Sequence, residues 1–84
     1  MYQFIWDLDD DPEGNSYHIA EHGVTKEDAE AVVENPLGME TSRSSGRPIY
    51  FGYTSEGRLL AVVVELVDEE TVYPVTAYFP DESP

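Results

Sequence analysis

The 84 residues carry 18 acidic side chains against four basic ones, a formal net charge of -14, and no cysteine. That composition excludes a disulfide frame and a thiolate metal site, and it disfavours unassisted binding to nucleic acid, whose affinity comes largely from counterions released by Lys and Arg. A chain this short buries roughly 60 to 65 per cent of the surface it exposes unfolded, enough for one core, so a single domain over residues 1–80 with a frayed acidic tail at 81–84 is expected.

With 40% of its residues hydrophobic, the chain can offset the entropy of ordering, and a folded protein is expected despite the charge. No basic segment precedes the first apolar residues, and no apolar run approaches the ~18 residues a membrane span needs. The reading is a soluble cytoplasmic protein with no membrane contact.

Tyr2, Phe4 and Trp6 alternate with Gln3, Ile5 and Asp7, which predicts a short first strand with a buried aromatic face. After the acidic turn at Asp9-Asp10-Asp11, the helical spacing of Asn15, His18, Ile19 and His22, stopped by Gly23, predicts a helix over Pro12 to His22. Thr25 is a good N-cap for a second helix bearing Ala29, Val32 and Val33, and Asn35-Pro36 ends it. Leu37 to Ser42 reads as a weak edge strand. Three stronger strands follow at Ile49 to Thr54, Arg58 to Val67 and Thr71 to Phe79.

The run Leu59-Leu60-Ala61-Val62-Val63-Val64 is apolar on both faces, so a central strand covered on both sides is expected, with the two helices as the cover. Pro74 places the last strand at an edge or gives it a bulge. The fold class is therefore α+β, order β-α-α-β-β-β with a further weak strand, an antiparallel sheet covered by two N-terminal helices.

Three of the four basic residues, Arg43, Arg47 and Arg58, fall within one 16-residue stretch. If Ser55-Glu56-Gly57 is a three-residue hairpin loop, Thr54 faces Arg58 and Arg47 faces Glu65; a four-residue loop breaks that pairing. Arg43, in the flexible Ser44-Ser45-Gly46 segment, is the arginine that local structure explains least. Arg43, Ser44, Ser45 and Arg47 are accordingly the candidate partner contacts.

Two metal-like patterns resolve to ordinary structure. His18-Ile19-Ala20-Glu21-His22 has the H-x-x-E-H spacing of inverted zinc peptidases, but the predicted helix ends at His22. The acidic run from Asp9 resembles half an EF-hand loop, yet its twelfth position is Ala20, where a bidentate Glu is needed. No metal site and no cofactor is expected.

Taken together, Trp6-Asp7, Asn15, His22-Gly23-Val24 with Glu27 and Ala29, then Gly52, Gly57-Arg58-Leu59-Leu60-Ala61-Val62-Val63 and Val75-Thr76-Ala77 occur in the order seen in BrnT-type toxins. The chain resembles that family over nearly its whole length, and is most similar to its short acidic relatives that end in Pro-Val-Thr-Ala-Tyr. The resemblance implies a RelE-like fold, a metal-independent ribonuclease activity and a cognate antitoxin. BrnT-type chains have Lys before the His-Gly, where this chain has Ala20-Glu21, Arg where it has Tyr78, and a basic C-terminal helix where it has Pro80, Asp81 and Glu82.

RNA cleavage needs a base, a cation at the phosphorane and an acid, roles open to His22, Arg58, Arg47 and Tyr78. His22 has a structural reading as well, beside the C-capping Gly23. Two functions follow. One is a noncatalytic or degenerate interaction module that binds a basic protein or antitoxin, with RNA contact weak or absent. The alternative is an active endoribonuclease; homodimerisation through an aromatic edge at Tyr73 to Phe79 is compatible with either.

Overall fold

A computed structural model describes residues 1–82. Two helices, α1 (Asn15–Glu21) and α2 (Lys26–Glu34), pack on a five-stranded sheet of β1 (Gln3–Phe4), β2 (Gly38–Thr41), β3 (Pro48–Tyr53), β4 (Leu59–Leu66) and β5 (Thr71–Tyr78). The spatial order is β1-β5-β4-β3-β2. Its radius of gyration, 11.9 Å, is that of one compact unit of this length.

The sheet is mixed, which corrects the antiparallel expectation. β2, β3, β4 and β5 form an antiparallel meander, but β1 adds to β5 in parallel, pairing Gln3 with Thr71 and Phe4 with Val72. A two-residue strand whose partner lies some 68 residues away carries no direction in its own pattern.

Helix α1 begins at Asn15, three residues later than the sequence predicts, with Gly14 as an N-cap that makes no side-chain bond. The acidic segment before it folds instead as turns, closed by Asp11 N–H to Leu8 O and Gly14 N–H to Asp11 O. Helix α2 starts as expected: the Thr25 hydroxyl accepts from the Asp28 amide at 3.1 Å.

Core packing explains which sheet face the helices take. Ile19 of α1 and Ala29, Val32 and Val33 of α2 join Tyr50, Leu60, Val62, Val64, Val72 and Ala77 in one buried cluster. The sheet members share one side by the strand pairing. Gly52 lies there too: a Cβ at this position would sit 3.3 Å from Val32 Cγ2, so the missing side chain lets α2 approach.

Both helices therefore cover the same face. The expectation that β4 is covered on both sides fails, because the opposite face carries no helix among the described residues. Pro74 does sit at a bulge, where Val63 pairs with Thr76 and Val64 with Pro74, leaving Val75 as the extra residue. It also lies beyond the short β1 ladder, so no partner strand asks for the N–H that proline lacks.

Where a frayed tail is expected, Pro80–Glu82 forms a 3₁₀ turn. Glu82 is engaged by Arg58; residues 83 and 84 of that expectation lie outside the described residues.

Candidate functional site

Beyond Phe4 the outer edge of β5 has no strand beside it among the described residues, and α1 fills the gap with side chains. Asn15 Nδ2 donates to Pro74 O at 2.9 Å, and His22 Nδ1–H donates to Ala77 O at 2.8 Å. The spacing accounts for the fit. The bulge at Val75 turns carbonyls three residues apart on β5 to the same edge, and Asn15 and the C-capping His22, seven residues or about 10.5 Å apart along the helix, reach them.

Asn15 does more than cap that edge. It is 2% exposed, its Oδ1 accepts from the Asp7 amide at 2.8 Å, and its Nδ2 also donates to Ile5 O at 2.9 Å. Asp7 answers by accepting from the Asn15 amide at 2.9 Å and from the Tyr73 hydroxyl at 2.6 Å. The Tyr73 bond, then the Asn15 amide, hold the Asp7 carboxyl below its usual range. The same bond first, and burial second, push the Tyr73 phenol up to about 12.

Beside this knot lies a cleft of about 290 Å³ lined by Pro12, Glu13, Asn15, His18, Tyr73 and Val75. The rings of His18 and His22 meet edge to face, 4.9 Å between centroids. Among the described residues no three metal-ligating side chains gather at one point.

Arg58 anchors the second locus. Its guanidinium stacks on Phe79, 3.7 Å from the ring centroid, and makes a two-pronged bond to Glu82 at 2.8 and 2.6 Å. That bond raises the Arg58 pKa and lowers that of Glu82. Phe79 follows Ala77 by two residues, so His22 contacts the end of β5 and Arg58 the residue just past it.

The other predicted catalytic residues do not join them. Tyr78 pairs with Ala61 and lies on the sheet face away from the helices. The hairpin register is that of the three-residue loop, with Tyr53 opposite Leu59 and the Thr54 amide bonded to Arg58 O. Continued, it sets Arg47 level with Glu65, seven residues or roughly 23 Å along β4 from Arg58. The ladder stops at Ile49, however, and no Arg47–Glu65 ion pair forms among the described residues.

Arg43 sits in a closed turn. Gly46 N–H bonds Ser42 O, Ser42 N–H bonds Arg47 O, and the Ser44 and Ser45 hydroxyls contact Ser42 Oγ and the Arg47 amide. The segment expected to be flexible is thus hydrogen-bonded across its base. Its serine hydroxyls are turned partly inward, while Arg43 is exposed.

The aromatic segment Tyr73 to Phe79, expected to be an exposed edge, has no strand on its outer side among the described residues, but Asn15 and His22 occupy two of its carbonyls, Pro74 O and Ala77 O. Asp7, Tyr73 and Glu82 are residues that reasoning from sequence missed. Their partners lie 66 and 24 positions away, beyond any local pattern.

The class defined by these features is an α+β protein with a mixed five-stranded sheet covered on one face. Compared with known proteins, the chain matches no family model, no curated protein and no solved structure. No helix among the described residues is long and apolar enough to cross a membrane.

Proposed function

We propose that this protein is a noncatalytic interaction module on a BrnT- or RelE-like scaffold, of toxin-antitoxin origin, that acts by binding a basic protein such as an antitoxin. The observation that carries this reading is the state of Arg58. The arginine predicted to act with His22 is already occupied, its charge met by Glu82 and its plane by Phe79. A phosphorane would have to displace a carboxylate to reach it, on a molecule of net charge -14.

The endoribonuclease reading draws on one observation, that the backbone partner of His22, Ala77, and the ring partner of Arg58, Phe79, are two residues apart. The two readings separate on a direct assay. Purified protein, with and without ribosomes, is expected to leave RNA intact, and its expression to leave growth unchanged. Robust cleavage lost in both His22→Ala and Arg58→Ala would overturn the noncatalytic reading.

A further inference from the structure

We propose that the helix-free face of the sheet is the docking surface for a helical partner segment, apolar along one side and flanked by Lys and Arg. The inference rests on the reading of the protein as a module for a basic partner, and it adds the surface and the shape of what binds there.

Strand pairing lays out this face in rows. Tyr53 stands beside Leu59, then Phe51, Ala61 and Tyr78 form one row, and Ile49, Val63 and Thr76 the next. Ala61, small and wholly buried, stands between the larger Phe51 and Tyr78 as its cross-strand neighbours. Tyr53, at the end of the face, is 60% exposed. Three adjacent strands thus present a continuous apolar surface. A single solvated sheet face ordinarily alternates to polar residues, and this one does not.

Size narrows the occupant. The rows span roughly 20 Å by 14 Å, about 280 Å², near the scale at which a contiguous patch on a monomer is often functional. One helix of about 14 residues, ~21 Å long and ~10 Å wide, matches it.

Charge narrows it further. On this side Glu40 stands beside Ile49, and Glu65 lies two residues beyond Val63 on β4. Arg47 is the exception, on the same side at the β2–β3 turn. A second copy would bring two bodies of charge -14 together, whereas a basic segment is drawn to the face and held by its apolar rows.

The test uses a labelled synthetic peptide of leucine and lysine, about 14 residues long, with its leucines on one helical side. Amide shifts in the full-length protein should concentrate at Ile49 to Tyr53, Leu59 to Val63 and Thr76 to Tyr78. Val63→Ser and Phe51→Ser should each weaken binding about tenfold, while Leu37→Ser, off the face, changes it by less than about twofold. The same peptide with its leucines scattered should bind about tenfold more weakly than the amphipathic one.

Shifts confined to α1 and α2 would overturn the proposal, as would equal binding by the scattered peptide. So would an RNA oligonucleotide that moves the same amides, or a dimer in sedimentation that buries the face. If either serine variant fails to fold by circular dichroism, the shift map on the unaltered protein decides alone. RNA cleavage by a protein whose face still binds the peptide removes the noncatalytic reading and spares the docking surface; absent binding without cleavage does the reverse.

Discussion

Asn15 shows how one side chain can replace a strand. Its amide group makes three bonds, to Asp7, Ile5 and Pro74, the last fully buried and the others partly so. Truncation strands several backbone groups at once, so Asn15→Ala should cost about 2–4 kcal/mol in urea unfolding, well above a single hydrogen bond. Thr76 offers the opposite case. Its hydroxyl is buried with no partner among the described residues, and Thr76→Val keeps the shape while removing it. That variant should gain about 1 kcal/mol by the same measurement.

The Asp7–Tyr73 bond gives the molecule two pH limits. The folded pKa of Asp7 is depressed, so its contribution is present above the unfolded value of 3.8 and is lost as pH falls through the lower folded value. Tyr73 is raised, so its contribution is present below 10.0 and is lost as pH climbs through about 12. Tyr73→Phe should flatten both limbs of a stability-against-pH curve. A mutant that keeps the full alkaline loss would assign it to Tyr50, whose phenol burial also raises.

At the scale of elements, the β3–β4 hairpin is legible in the sequence alone. Its register is not: with both faces apolar, a three- or a four-residue loop fits the sequence, and the three-residue loop is closed in the structure by bonds from the Glu56 and Arg58 amides to Thr54 Oγ1. Gly57 takes a φ of +79°, which suits glycine. The α2 boundaries are equally legible because Thr25 and Asn35-Pro36 act locally.

What covers β4 is not legible. Six consecutive apolar residues announce two apolar faces without saying whether an element of the same chain meets each. Gly52 lies inside a predicted strand with nothing in the local pattern to mark it, yet it sets the distance between sheet and helix. Gly52→Ala must push Val32 aside, and we expect a loss of about 1–3 kcal/mol with lowered thermal midpoint. An unchanged midpoint would mean α2 is free to shift outward.

Across the whole molecule, charge and packing pull apart. The N-terminal half, residues 1–42, carries eleven acids and one Lys, and much of that acid is structural: Asp7 holds Asn15, Glu30 accepts from Trp6 Nε1, and Glu34 accepts from the Tyr2 amide. Counting charge therefore overstates how much of it is free to meet a partner. The Arg58–Glu82 bond, by contrast, is exposed, and its effect on stability should be small and fade with added salt, as a double-mutant cycle at two ionic strengths would register.

The side chains of α1 along β5 have a consequence for assembly. A sheet propagates from copy to copy only if both margins can accept a strand. Here one margin ends in a two-residue strand whose Tyr2 amide is taken by Glu34, followed by carbonyls taken by Asn15 and His22. At the other margin β2 runs Gly38–Thr41 with all four residues exposed. A strand from a second copy therefore meets fewer free backbone groups along β5 than along β2, and edge-to-edge pairing is directed to the β2 side.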